Sequence, residues 1–228
     1  MPTASRWRDA ITRSRLISSG YRAHSASLRR VPARRPAAGH RGPPLATLVT
    51  VGATGIDANH LPLEFDASAG ACGTLRGHVS RNNPVWRDAD QAGEALAIFQ
   101  GPQAYISPGW YPTKQEHGRV VPTWNYVVVH TRGRLRFIED AGWLREHVTR
   151  LTTRFEGQGA GAWHISDAPP DFIDGLLRAI VGFEMEIASL AGKWKTSQNR
   201  TAADRAGVIH GLQARGEHAM ARLVESAD

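Results

Sequence analysis

Two apolar runs, Ala95–Phe99 and Tyr126–Val129, bracket a segment that Gly101–Pro102, Pro108–Gly109 and Pro112 break into turns. β-Branched and aromatic residues suit a pleated, half-buried surface, and Gly/Pro dipeptides set the backbone of turns, so the segment reads as strands joined by short connections. Tyr105, Trp110, Tyr111, Trp124, Asn125 and Tyr126 crowd into it. Pockets for flat ligands combine aromatic walls with a few placed polar groups. A sheet core with a Pro-rich connection would use the same residues, and both readings stand at this point.

The same short-strand pattern runs through much of the chain. Ala46–Val51, Ala58–Phe65, Thr74–Val79, Tyr105–Ser107, Thr123–His130 and Arg134–Glu139 are further strand candidates, with turns at Gly52–Gly55 and Gly70–Gly73. Pro62 marks an edge or a bulge, because proline cannot donate to a ladder. Short strands at this spacing predict a barrel or a sandwich. Helical spacing appears later. Asp140 is placed to cap a helix carrying Trp143, Leu144, Val148, Leu151 and Phe155, and Ser166 or Asp167 to cap one carrying Phe172, Ile173, Leu176, Leu177 and Ile180. Glu184–Leu190 alternates again, and Thr201 opens a final helix with Ile209, Leu212, Leu223 and Val224 on its buried face. The expected class is α+β and mainly β, with peripheral helices and a C-terminal helix.

Charge divides the chain in two. The formal net charge is +7, yet residues 1–44 alone hold ten arginines against one acid, Asp9, a net +9. The other 18 basic and 20 acidic residues leave 45–228 at −2. The leader lacks a sustained apolar period and cannot bury enough surface to offset its ordering entropy, so disorder is expected there. A transit peptide, a basic arm for nucleic acid, a shifted reading frame or a misplaced start would give the same composition. Residues 45–228 read as one domain. No apolar run approaches the roughly 20 residues of a membrane-spanning helix. Cys72 is alone, so no intrachain disulfide forms, which fits a reducing cytoplasm.

Several standard sites are absent. Gly157-Gln-Gly159-Ala-Gly161 follows a helix, where a dinucleotide fingerprint needs a strand, and no histidines pair at zinc spacing. Two donor-rich clusters remain. Arg76-Gly-His78-Val-Ser-Arg81-Asn82-Asn83-Pro84 suits an anion or a solvated strand end. Gly192-Lys193-Trp194-Lys195-Thr196-Ser197-Gln198-Asn199-Arg200 lies just before a helix start, where anions bind, or forms a solvated loop.

Taken with Asn59-His60-Leu61-Pro62, Phe99-Gln100-Gly101-Pro102, Tyr105 through Tyr111, Val121-Pro122-Thr123-Trp124-Asn125-Tyr126 and Val181-Gly182-Phe183-Glu184, these clusters resemble the PaiB family of FMN-binding split-barrel proteins. The match runs from Leu45 to about Arg215. A short helix ending in a His-Pro-like step, usual before the first strand of that family, is not reproduced in residues 1–44.

The resemblance implies a six-stranded split barrel, a homodimer with FMN at the subunit interface, and a role as a negative transcriptional regulator. Arg76, Arg81 and Asn82, or Lys195 with Ser197, would then hold the phosphate. Trp124, Trp110 and Tyr111 would wall the isoalloxazine ring, and His60, His78, Asn125 and Gln198 would donate to its polar edge. A flavin-dependent oxidoreductase and a flavin sensor without turnover are the competing functions. Direct DNA binding is the weaker form of the regulatory reading, since the −2 body lacks the electrostatic footprint that phosphate contacts require.

Overall fold

A computed structural model describes residues 45–157 and 159–227. The expected disorder of residues 1–44 lies outside the described residues. The strands are β1 (Leu45–Gly52), β2 (Gly55–Pro62), β3 (Glu64–Asp66), β4 (Thr74–Ser80), β5 (Ala95–Ile106), β6 (Thr123–Ile138) and β7 (Ile180–Lys195). They form one sheet in the order β2-β1-β5-β6-β7-β4-β3. β1 pairs antiparallel with β2 and β5, and β4 with β3 and β7. The helices are α1 (Val85–Asp88), α2 (Thr113–His117), α3 (Ala141–Glu156), α4 (Pro170–Arg178), α5 (Ala202–Ala214) and α6 (His218–Glu225). The fold is α+β and mainly β, as expected, with seven strands where six were implied.

Several boundaries differ from the sequence reading. Tyr105–Ser107 is no separate strand, because β5 runs through Gly101 and Pro102. β1 pairs with Leu96–Phe99 only, so one edge of β5 opens beyond Phe99 and a proline is tolerated there. β6 likewise runs unbroken through Gly133, whose missing Cβ would stand 2.0 Å from the Glu186 carbonyl oxygen. Neither Ser166 nor Asp167 caps α4. Asp167 instead accepts from the His164 amide across a 3-10 turn, and α4 starts at Pro170, where a missing amide donor costs nothing. The final helix is two. Gly216, at φ +76°, ends α5 in a conformation that favours glycine, and α6 follows.

The described residues fall into two compact units, residues 45–99 with 130–191 and residues 100–129 with 192–227. In the first, β1 buries Ala46, Leu48 and Thr50 in alternation, and β4 buries Leu75, Gly77 and Val79. β7 adds Val181, Phe183 and Met185. Asp140 caps α3 as expected, accepting from the Trp143 amide, and Leu144 packs with Ile173 and Leu177 of α4.

In the second unit, Ala104, Ile106 and Tyr111 form a core with Val208 and Leu212 of α5 and Met220, Ala221 and Val224 of α6. Asp204 in the first turn of α5 accepts from the Thr113 amide and hydroxyl, and Thr201 caps its amide. Gly207 and Gly211 give α5 a groove for Trp110, since a Cβ on Gly207 would stand 2.0 Å from the Trp110 carbonyl oxygen. A helical Gly→Ala change ordinarily gains up to about 1 kcal/mol. Here the obstruction is backbone, and overpacking costs about 1–3 kcal/mol, so Gly207→Ala is expected to lower the urea midpoint. An unchanged or higher midpoint would show that α5 moves aside freely.

Candidate functional site

In the first unit, alternation along β4 puts Arg76 and His78 on the strand face opposite Leu75, Gly77 and Val79. Register sets Arg76 between Glu64 of β3 and Glu184 of β7. Its Nε donates to Glu184 at 2.9 Å and its Nη1 to Asp66 at 2.7 Å, while Arg136 donates to the other Glu184 oxygen at 2.5 Å. Hydrogen bonds from Ser68, opposed by burial and joined by Arg76, hold Asp66 down at about 2. Burial works against the Glu184 charge, but Arg76 and Arg136 prevail and keep its carboxyl below the usual range. Arg76 is a charge already matched.

Arg81 is also engaged. Its guanidinium donates to Glu139 at 2.5 Å and to the carbonyls of Arg178 and Ile180 at 2.7 and 3.3 Å. Asn82 lies exposed on the turn that follows, and His60 lies exposed on the edge strand β2 opposite Thr47. His78 reaches a different set of groups. Its Nδ1 is 3.2 Å from Nε2 of His147 in α3, and Nδ1 of His147 is 3.6 Å from a Glu64 oxygen. Burial, and then the neighbouring His147, push His78 down to about 4, so it is neutral at pH 7. Burial raises the Glu64 carboxyl, but the nearby His147 ring and the Arg150 guanidinium outweigh it and leave Glu64 below its ordinary value.

The second unit gathers the other candidates at the start of β6 and the end of β7. Lys195 Nζ donates to Thr123 Oγ1 at 2.5 Å, and Asn125 Nδ2 donates to Ser197 Oγ at 2.9 Å. The Asn125 side-chain oxygen, Oδ1, is buried with no hydrogen-bond partner among the described residues. Ser197 takes φ 60°, a left-handed conformation uncommon outside glycine. Gln198 is spent on its own loop, accepting from the Thr196 amide at 2.7 Å and donating to the Trp194 carbonyl at 2.6 Å. Trp124 is 48% exposed, donates to Gln103 at 3.0 Å and meets Tyr105 edge-on with centroids 6.1 Å apart. Tyr111 is only 2% exposed and lies under the Arg200 guanidinium at 4.5 Å. Trp110 packs beside Tyr111, on the glycine face of α5.

The structure therefore brings together Lys195, Ser197 and Asn125 in the second unit. It spends Arg76, Arg81 and Gln198 on internal partners and sets Trp110 and Tyr111 into packing. The sequence reading gave no site role to Glu64, His147 or Thr123, and it named Arg200 only as a member of the donor-rich cluster before the last helix. His147 carried one signal, since it falls one turn after Trp143 and Leu144 on the apolar face of α3. Lys195 and Arg200 form no ion pair with a carboxylate among the described residues, unlike Arg76 and Arg81. Unmatched cations beside a hydroxyl and a buried acceptor fit an anionic ligand that also carries donors, which describes FMN.

Comparison with known proteins bears on the cofactor. A family model described as "Putative FMN-binding domain" matches residues 37–189. The chain is 34% identical over 156 residues to the protease synthase and sporulation protein PAI 2 of Bacillus subtilis, covering 68% of this chain and 72% of that protein. It is 32% identical over 195 residues to the uncharacterized protein AN0679 of Emericella nidulans, covering 72% and 78%. The chain belongs to this FMN-binding family, as its PaiB-like motifs implied, and its cofactor is FMN.

Proposed function

We propose that this flavoprotein is a negative regulator of transcription that holds the FMN phosphate on Lys195 and Ser197, with Arg200 nearby. The observation that carries the site is the unmatched charge of Lys195 beside the buried Asn125–Ser197 pair. Trp124 and Tyr105, both exposed, are the aromatic pair left to meet a ring. When bound, FMN supplies hydride chemistry. The residues of this chain bind and orient it.

The regulatory role rests on the PaiB resemblance, as does a homodimer with FMN at the subunit interface, and a cytoplasmic location rests on the lone Cys72. Among the described residues no helix is long and apolar enough to cross a membrane. Repression through a protein partner suits the −2 charge of residues 45–228. Any DNA affinity is expected to reside in residues 1–44, whose net +9 releases phosphate counterions. Gel shifts at two salt concentrations check this, and equal, sequence-selective binding by the chain without residues 1–44 would refute it.

The site is tested by comparing FMN with riboflavin, which lacks the phosphate. A hydrogen bond to a charged group contributes about 1.5–3 kcal/mol, so riboflavin is expected to bind at least about tenfold more weakly. Lys195→Ala should narrow that gap, and Trp124→Ala should weaken both ligands alike. Tryptophan fluorescence titration reads all of these, with seven tryptophans in the chain to be quenched. Equal affinities in the parent protein would sink the phosphate assignment. The role itself is tested in the native host. Deleting the gene should raise target transcripts, and the wild-type copy should restore repression where Lys195→Ala does not. An unchanged transcript profile would overturn the regulatory reading.

A further inference from the structure

In the first unit, α3 carries two stripes. Leu144 and His147 are buried, and beside them Arg145, Thr149, Thr152 and Thr153 recur at spacings of three and four, which places them on one side of the helix. The chain leaves α3 at Gly157 and comes back past that second stripe through the 3-10 turn Ile165–Asp167 into α4. Between the helix and the returning segment lies an open cleft of about 510 Å³, a size usual for small-molecule sites.

The floor of the cleft is apolar. Ile165 and Ala168 pack on the Leu144–Ile173–Leu177 cluster, and Ile173 lines the cleft with them. The walls are hydroxylated. Thr149 donates to the Arg145 carbonyl at 2.7 Å, while the hydroxyls of Thr152, Thr153 and Ser166 have no hydrogen-bond partner among the described residues. No carboxylate lines the cleft, and Arg145 is the one arginine or lysine that does. Its guanidinium pairs with Asp174 of α4. With these side chains 43% and 52% exposed, solvent screens the pair, and an incoming carboxylate can take the place of Asp174 at little cost. A guanidinium presents paired donors to a planar carboxylate, the free hydroxyls can donate to the same oxygens, and the floor accepts a hydrocarbon body. A phosphate dianion would call for a second fixed cation, and none lines the cleft.

We propose that this cleft binds a small carboxylic acid with an apolar body, its carboxylate on Arg145 in place of Asp174 and its body over Ile165, Ala168 and Ile173. The site lies wholly within the first unit and shares no residue with the proposed phosphate site at Lys195 and Ser197.

The test uses the full-length, FMN-loaded protein labelled with ¹⁵N, with benzoate as the probe and benzamide and acetate as controls. Benzamide keeps the ring and loses the charge, whereas acetate keeps the charge and loses the body. Benzoate should shift the amides of residues 149–153 and 165–168, and both controls should bind at least about tenfold more weakly. Arg145→Gln should bring benzoate down to the affinity of benzamide. Thr152→Trp, which fills the cleft from its wall, should abolish the response to benzoate. No response to benzoate in the parent, equal affinities for benzoate and benzamide, or an Arg145→Gln variant that still prefers benzoate would overturn the proposal. So would shifts confined to the second unit or a changed flavin absorbance, which would put the probe in the FMN site. If Thr152→Trp fails to fold, the titrations of the parent and of Arg145→Gln still decide. The amide shifts are read on the protein, so they test the cleft whether or not Lys195 holds the phosphate.

Discussion

Acidification from pH 6.5 towards pH 4 is expected to cost the fold about 3 kcal/mol through His78 alone. An unfolded chain protonates this histidine near 6.5, whereas the folded protein holds it down at about 4. Between those values the unfolded state binds more protons, so stability rises with pH across the window and is lost as pH falls through it. Each pH unit of displacement corresponds to about 1.4 kcal/mol, which sets the size. The cause is geometric. Burial comes first and the His147 ring 3.2 Å away second, and Glu64, the one carboxylate close to the pair among the described residues, is shared with Arg150. Asp66 adds a lower window, since its pKa falls from 3.8 to about 2 and its contribution is lost as pH drops through that range. Urea midpoints from pH 7 to pH 3 should therefore slope more steeply between 6.5 and 4 in the parent than in His78→Asn, where His130, which burial also holds below its ordinary value, leaves a residual slope, and the slope below pH 4 should be retained by both. An identical slope between 6.5 and 4 in parent and variant would remove His78 from the account.

Local features are the legible part of this amino-acid sequence. The β1–β2 hairpin, the strand at Thr74, the Asp140 cap and the start of α5 at Thr201 each follow from neighbouring residues, because periodicity, turn residues and caps act over a few positions. Misreadings arise where distant chain decides. Gly101–Pro102 and Gly133 look like strand breaks, yet an open strand edge and a close backbone approach accommodate them. Gly216 does carry a helix-stop signal, and the apolar spacing that continues into Leu223 and Val224 masks it. The site divides in the same way. Residue types and motifs point to a phosphate and a flat ring, but Asp66 and Glu184, which match Arg76, lie 10 and 108 residues from it. Nothing in a single sequence says which of two arginine- and lysine-bearing clusters is already neutralised.

That difference supports the last prediction. Arg76→Ala is expected to destabilise the fold by about 2–3 kcal/mol while leaving the affinity gap between FMN and riboflavin unchanged. Hydrogen bonds between charged groups contribute about 1.5–3 kcal/mol each, and removing one member of a buried pair strands the others. The Arg76 and Glu184 side chains are 20% and 18% exposed, so solvent screens the stranded carboxylates only in part and the loss stays near one full bond. Arg76→Lys should recover less than half of it, because a single ammonium cannot span Glu184 and Asp66 as the Nε and Nη1 donors do. Lys195→Ala should show the opposite profile, with little change in the urea midpoint and a collapsed ligand gap. Its only hydrogen-bond partner among the described residues is the Thr123 hydroxyl, so no charge is orphaned by its removal. If Arg76→Ala instead closes the FMN–riboflavin gap at unchanged stability, the phosphate belongs to the β4 cluster and the assignment to Lys195 fails.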